Sequence, residues 1–213
     1  MTDRTPTVPD ARRPSTVVFD IGQVLIQWDP RHLYRELFDG EEELMEHFLE
    51  TVCTPAWNLE QDRGRGWDEA VALLTVEHPH CAELIRAYHE RWEDMVPGPV
   101  DGTPDILVEL KNQGRTVHAI TNFSVEKLEL SRRRFDFLNL FDDIVVSGEV
   151  GLVKPDPAIF RVLLDRQGLD PADAYFIDDS LANVETARSL GMTAHHFTGA
   201  GRLRAEMEGL GLL

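Results

Sequence analysis

Short apolar runs alternate with amphipathic helical stretches along most of the chain, and this alternation limits the fold more than any single residue does. The runs are TVVF (16–19), TVHAIT (116–121), DIVVS (143–147), AYFID (174–178) and TAHHF (193–197). Glycines follow several of the helical stretches, as is common at helix C-termini. Strands that alternate with helices form right-handed crossovers and a mostly parallel sheet covered on both faces. The sequence therefore predicts a doubly wound, Rossmann-like α/β fold.

The segment 30–96 has a different pattern, because helical periodicity dominates it and no β-rich run interrupts it. A Pro/Gly-rich connector, PGPVDGTP, follows this segment. We interpret the segment as a helical cap domain inserted into an α/β core domain, which residues 15–29 and 97–213 form. Residues 1–14 are polar and rich in proline, and we expect them to form a flexible N-terminal tail.

Composition excludes several classes of protein and partner. A net charge of −17 argues against nucleic-acid binding, which needs a basic surface. No apolar run is long enough to span a bilayer, and the N-terminus lacks the apolar core of a secretory signal. Only Cys53 and Cys81 are present, far apart in the sequence, so a disulfide framework is not expected. These observations predict a cytoplasmic protein without a membrane or nucleic-acid partner, either a monomer or a homodimer.

Polar side chains follow four of the predicted strands, each at the point where the strand ends. They are Asp20 after the first strand, Thr121 and Asn122 at the end of the second, Lys154 beyond the third, and Asp178 and Asp179 at the end of the fourth. In a parallel sheet these residues would all lie at the carboxyl edge, where open α/β sheets bind ligands. Carboxylate oxygens suit a divalent hard cation, and magnesium often completes its shell with a substrate phosphate. The pattern therefore predicts a site for Mg²⁺ and a phosphate.

The four segments stand in the order VVFDIGQVL, AITN, VKPDPAIF and FIDDSLANVETARSLG. In this order and spacing, with a helical cap inserted after the first, the chain resembles the haloacid dehalogenase-like (HAD) hydrolase superfamily from roughly Thr16 to Phe197. The first segment is most similar to the subgroup with FD-x-G-x-VL, which includes sugar-phosphate phosphatases. The resemblance implies a magnesium-dependent phosphohydrolase that acts on a small phosphorylated metabolite, such as a sugar phosphate.

The resemblance also implies a role for each residue at the predicted edge. Asp20 would be the nucleophile that forms an aspartyl-phosphate, and Lys154 would balance the negative charge. The metal would be held by Asp20, the Gly22 carbonyl and Asp179, with Asp178 acting through a water molecule and supported by Ser180 and Asn183. The phosphoryl oxygens would be bound by Thr121, Asn122, Lys154 and the backbone amides of Ile21 and Gly22.

Gly22 departs from the pattern of the superfamily, because most of its phosphatases carry a second aspartate there that transfers a proton to and from the reacting oxygens. Loss of such a group typically costs about 10²–10⁴-fold in rate. Three explanations stay open. The leaving group is good enough to depart unprotonated, another residue near the cap hinge such as Asp29 replaces the missing acid, or the protein binds phosphate and is catalytically weak.

A second class of enzyme, the 2-haloacid dehalogenases, uses the same nucleophile on carbon without a metal. The paired acids Asp178 and Asp179 argue against this alternative. Within the cap, Trp57, Trp67 and Trp92 fit core packing better than a substrate platform. The run NLEQDRGRGW (58–67) contains two glycines, and we expect a loop that faces the site. The polar residues in the cap that are able to contact a substrate are Arg31, His32, Asn58, Arg63 and Arg65.

Overall fold

A computed structural model describes residues 13–213 of the chain, so most of the predicted N-terminal tail lies outside the described residues. Within them, five parallel strands form one sheet in the order β3-β2-β1-β4-β5. The strands are β1 (Thr16–Phe19), β2 (Thr116–Thr121), β3 (Asp143–Val146), β4 (Ala174–Asp178) and β5 (Thr193–His196). The strand β1 is central, with Val17 opposite Val117 of β2 on one side and Tyr175 of β4 on the other.

Helices connect the strands and cover the sheet. The α-helices described in residues 13–213 are α1 (Arg31–Leu37), α2 (Glu42–Thr51), α3 (Pro55–Asp62), α4 (Trp67–Glu77), α5 (Ala82–Glu90), α6 (Thr103–Asn112), α7 (Val125–Arg134), α8 (Ser147–Val150), α9 (Pro157–Gln167), α10 (Leu181–Ser189) and α11 (Ala200–Leu210). The helices α1 to α5 follow one another between β1 and α6 without an intervening strand. The predicted α/β fold with an inserted set of cap helices is confirmed, while the domain boundaries stay a prediction.

The core lies on both faces of the sheet, as the period of a β-strand requires. In β1, Val17 and Phe19 belong to one buried cluster, and Val18 between them belongs to another. The larger cluster continues into the cap, where Tyr34 of α1 packs against Phe48 of α2 with ring centroids 5.0 Å apart. One continuous apolar core therefore joins the sheet to the cap helices.

The run NLEQDRGRGW is only partly the loop that the sequence predicted. Its first five residues belong to α3, and the loop begins at Arg63. The helix is favoured because the Thr54 side chain accepts a hydrogen bond from the Trp57 N–H and Pro55 occupies the first turn. No helix in residues 13–213 is long and apolar enough to cross a membrane.

Candidate active site

Asp20 lies directly after β1, at the carboxyl edge of the sheet. Its backbone N–H donates to the Ile177 carbonyl at 2.8 Å, so the sheet fixes the residue in place. The Oδ1 atom accepts a hydrogen bond from the Ile21 N–H at 2.7 Å and lies 2.8 Å from the Lys154 Nζ. Asp20 is 8% exposed. A nearly buried carboxylate thus meets a buried ammonium group at the edge of the sheet.

Asp178 at the end of β4 completes the ion pair from the other side. Its Oδ2 accepts a hydrogen bond from the Lys154 Nζ at 2.7 Å. Its Oδ1 accepts from the Ser180 N–H at 2.8 Å and from the Asn183 Nδ2 at 2.9 Å. Ser180 and Asn183, which the resemblance implied as supports of the metal site, therefore orient this carboxylate. Asp178 is fully buried.

Lys154 is held in place by Asn122, which the sequence predicted as a phosphoryl ligand. The Asn122 Nδ2 donates to the Lys154 carbonyl at 3.0 Å, and the Asn122 Oδ1 accepts from the Lys154 N–H at 2.8 Å. One hydrogen of the Asn122 amide stays available for a further acceptor. Burial would lower the pKa of Lys154, but the carboxylates of Asp20 and Asp178 outweigh this effect and raise it. Lys154 is therefore a permanent positive charge in the site.

Three carboxylates lie together at this edge, and two of them, Asp20 and Asp178, pair with the single ammonium group of Lys154. Asp20, Asp178 and Asp179 each offer an oxygen atom, and these atoms lie within 4.8 Å of one another. Burial raises the pKa of Asp20, Lys154 partly offsets the effect, and Asp178 raises the pKa further. Loss of hydration and the charge of Asp178 likewise raise the pKa of Asp179. The cluster therefore carries more negative charge than Lys154 balances, and its oxygen donors fit Mg²⁺.

The remaining predicted phosphoryl ligands lie beside this cluster. Thr121 is buried at the end of β2, and its Oγ1 has no hydrogen-bond partner in the described part of the chain. A buried hydroxyl without a partner is costly, so this atom fits a ligand oxygen. The Ile21 amide donates to Asp20 instead of facing outward. Gly22 has room for a side chain, because an added Cβ would meet no atom within 4 Å.

A cavity of about 130 Å³ begins at this edge of the sheet and extends under the cap. Two of its lining residues, Gly22 and Asn122, belong to the edge itself. The others are the aromatic residues Trp28, Trp67, Trp92 and Phe123 and the polar residues Gln23, Asn58, Asp62, Ser124 and Lys127. Trp67 and Trp92 are buried in the core, as the sequence predicted, and they also form the wall of this cavity. The structure thus joins the edge to a cavity with four aromatic side chains in its wall.

The cap residues that the sequence singled out are placed differently from one another. Asn58 lines the cavity, whereas Arg31 pairs with Asp29 and Glu46, and Arg65 donates to the Gln61 side chain and the Trp57 carbonyl. Arg63 lies near Glu60, and His32 is exposed. Asp29 does not line the cavity, and its carboxylate accepts hydrogen bonds from Arg31.

Asp62 and Lys127 line the cavity and were not singled out from the sequence. The only signal for Asp62 was its position within the glycine-containing run NLEQDRGRGW. Lys127 lies in α7, whose sequence has the amphipathic pattern of an ordinary surface helix. Both reach the cavity through contacts between the cap and the core, which local patterns do not encode.

A model of the haloacid dehalogenase-like hydrolases matches residues 41–196. The chain therefore belongs to the haloacid dehalogenase-like hydrolase family and is a hydrolase. It is 26% identical over 197 residues to the sesquiterpene phosphatase astK of Aspergillus oryzae, which covers 85% of this chain and 88% of that protein. It is 42% identical over 86 residues to the drimenol cyclase drtB of Aspergillus calidoustus, covering 40% of this chain but only 16% of that protein.

The fold is also similar to that of a HAD-family enzyme of Bacteroides thetaiotaomicron, solved in complex with magnesium and inorganic phosphate. The TM-score is 0.69 at 22% identity, and the match covers 87% of this chain and 95% of that one. At this identity the similarity establishes the common fold, in agreement with the parallel five-stranded sheet.

Proposed function

We propose that this chain is a magnesium-dependent phosphatase that hydrolyses a small phosphate ester through an aspartyl-phosphate at Asp20. The observation that carries the proposal is the position of the Asp20 carboxylate. It lies 2.8 Å from a buried ammonium group and within 4.8 Å of two further carboxylate donors, and Gly22, two residues along the chain, lines a cavity. The assignment to the hydrolase family and the similarity to a phosphatase over most of both chains support the same reaction.

In this mechanism a free oxygen of the Asp20 carboxylate attacks phosphorus, and the bond from phosphorus to the leaving oxygen breaks. Lys154 stabilises the charge that develops on the phosphoryl oxygens, since Asn122 holds its backbone and Asp178 accepts a hydrogen bond from its ammonium group. The Thr121 hydroxyl and the free Asn122 amide hydrogen would donate to those oxygens. Water then attacks phosphorus, which releases inorganic phosphate and regenerates the carboxylate.

The Mg²⁺ ion would be held by Asp20, the Gly22 carbonyl and Asp179, with Asp178 reaching it through a water molecule. When bound, it supplies positive charge between two anions, the nucleophile and the phosphate, and so lowers the electrostatic cost of their approach. The protein's own residues do not supply enough positive charge for this, because Lys154 is shared between two carboxylates.

The cavity favours a substrate whose organic part carries apolar surface. Four aromatic side chains form much of its wall, and such walls bind apolar groups by burying their surface. The similarity to a sesquiterpene phosphatase supports an apolar ester. A sugar phosphate, which the sequence resemblance suggested, is the natural comparison in a substrate screen. The cytoplasmic location and the choice between monomer and homodimer stay predictions.

The first test is hydrolysis of p-nitrophenyl phosphate with and without Mg²⁺ by the wild type and the Asp20→Asn variant. We expect the variant to lose a factor of about 10³ or more, because an amide does not act as the nucleophile. Chelation of the metal should reduce the wild type to a similar level. An Asp165→Asn variant, altered at an exposed position on α9, is the matched control and should keep full activity.

The same assay separates the phosphatase from the two alternatives when L-2-chloropropionate is tested in parallel. Release of chloride without a metal would contradict the proposal in favour of a dehalogenase. A wild type no faster than Asp20→Asn on every phosphate ester would instead indicate a phosphate-binding protein.

A further inference from the structure

Asp62 places a carboxylic acid in the wall of the cavity beside the candidate active site. It is the last residue of α3, in the cap, and it lines the same cavity as Gly22 and Asn122. Among the residues of the described chain that line this cavity, it is the only carboxylic acid. Asp62 therefore faces the same cavity as Gly22, the position that lacks an acid.

The carboxyl group of Asp62 is fixed by contacts from two elements. The Asn58 Nδ2, one turn earlier in α3, donates to its Oδ2 at 3.0 Å. The backbone of Ser124, in the loop after β2, lowers the pKa of this carboxyl group and so lies close to it. The Ser147 hydroxyl donates to the Asp62 carbonyl at 2.5 Å. No lysine or arginine of residues 13–213 forms an ion pair with the Asp62 carboxylate, so no cationic side chain favours its ionised form.

We propose that Asp62 is the proton-transfer residue of this site and replaces, from the cap, the acid that is absent at position 22. This inference rests on the proposed phosphatase function. In the first step Asp20 attacks phosphorus, the P–O bond to the leaving group breaks, and the Asp62 carboxyl proton passes to the leaving oxygen, which departs as an alcohol. In the second step the Asp62 carboxylate takes a proton from water as the oxygen of that water attacks phosphorus. The bond from phosphorus to Asp20 then breaks, and hydrogen phosphate leaves.

The protonation behaviour of Asp62 suits both steps. Burial raises its pKa to about 7, and the nearby Ser124 backbone only partly offsets this effect. A group with a pKa near the working pH both donates and accepts a proton readily. Asp62 loses hydration because it lies at the end of α3, next to the loop after β2.

The two other candidates for this task are engaged elsewhere. The Asp29 carboxylate accepts hydrogen bonds from Arg31 and does not line the cavity. The Lys127 Nζ lines the cavity, but it lies 2.9 Å from both the Nδ1 and the carbonyl oxygen of His89 and 3.4 Å from Glu126. Its three hydrogens therefore already have acceptors.

The test compares the wild type with Asp62→Asn on a series of phosphate esters, from p-nitrophenyl phosphate to simple alkyl phosphates. A good leaving group departs unprotonated, so we expect the variant to lose less than about tenfold in kcat/KM on p-nitrophenyl phosphate. On alkyl phosphates we expect a loss of about 10²–10⁴-fold, the usual value of a general acid. Asp29→Asn is the matched control and should show the same activity as the wild type throughout the series.

A loss of equal size on all esters would overturn the inference, because a structural effect does not depend on the leaving group. The wild type alone provides a second measurement should the variant not fold. Its kcat/KM should depend weakly on the basicity of the leaving alcohol, and a steep decrease would show that no residue acts as the acid. If the wild type is more active than Asp20→Asn but either of these two results is found, only the role of Asp62 fails. If the wild type and Asp20→Asn are equally active on every ester, the proposed phosphatase function fails as well.

Discussion

At the scale of single residues, Gly22 and Asp62 both bear on which group transfers a proton to the leaving oxygen. Gly22 has room for a side chain, since an added Cβ would meet no atom within 4 Å. Crowding therefore does not explain the glycine. If Asp62 transfers the proton, a second acid at position 22 would add a like charge to the wall of the same cavity. The two positions are alternative places for one proton-transfer group.

This view predicts that Gly22→Asp rescues Asp62→Asn. In the double variant we expect alkyl phosphate hydrolysis to recover at least about tenfold over Asp62→Asn alone, since a general acid contributes about 10²–10⁴-fold in its best position. The measurement is kcat/KM on one alkyl phosphate. Gly22→Asn in the same background is the matched control, because it fills the same space without a transferable proton. Equal activity of the two double variants would contradict the prediction.

Residues at the strand ends were predictable from the sequence, whereas Asp62 was not. Asp20, Lys154 and Asp178 follow short apolar runs, and parallel strands bring such residues to one edge. Asp62 ends a helix of the cap and reaches the site only because that helix packs against the loop after β2. Sequence periodicity does not predict a contact between a cap helix and a distant loop, and the adjacent glycines indicated only a loop.

At the scale of elements, the connection between α3 and α4 determines where Asp62 lies. Gly64 in this connection has φ +112°, and an added Cβ would lie 2.9 Å from the carbonyl oxygen of Gly148 in α8. The Trp67 Nε1 at the start of α4 donates to the Ser124 Oγ at 2.9 Å. The cap therefore contacts the core closely within the loop 63–66 and directly after it.

Gly64→Ala should accordingly impair both stability and activity. An alanine at this φ costs about 1–3 kcal/mol, and the contact with Gly148 would push the end of α3 away from the core. We expect a lower Tm, by at least about 2 °C, together with a lower kcat/KM on alkyl phosphates. Gly40→Ala is the matched control, because Gly40 has φ +82° but no atom within 4 Å of an added Cβ. It should lower Tm without changing activity, and a loss of activity equal to that of Gly64→Ala would contradict this account.

Most of the elements agree with the sequence, and the differences have local causes. The predicted strands β2 and β4 have the observed bounds, while β3 ends one residue early because Ser147 begins α8. The helix α3 was missed because Gly64 and Gly66, which follow it directly, favoured a loop, although Thr54 and Pro55 favour a helix start. The strand order was not predictable, because the alternation of strands and helices predicts parallel strands but does not show which strands are neighbours.

At the scale of the whole molecule, an anionic substrate must enter a protein with a net charge of −17. Long-range repulsion is screened by salt within about 10 Å, so local charges determine binding. Lys154 at the edge and Lys127 in the cavity are the buried cations near the proposed site. The carboxylates of Asp20, Asp178 and Asp179 outnumber the single ammonium group at the edge, so a bound Mg²⁺ would supply the positive charge that a phosphate needs there.

The most direct test of the central claim is to trap the phosphorylated enzyme. The wild type with Mg²⁺ would be mixed with p-nitrophenyl phosphate, quenched in acid within milliseconds and digested for mass spectrometry. A good leaving group makes the first step fast, so the intermediate should accumulate, and we expect a phosphoryl group on Asp20 that hydroxylamine removes. Steady release of phosphate while Asp20 stays unmodified, or a phosphoryl group on another residue, would contradict the account.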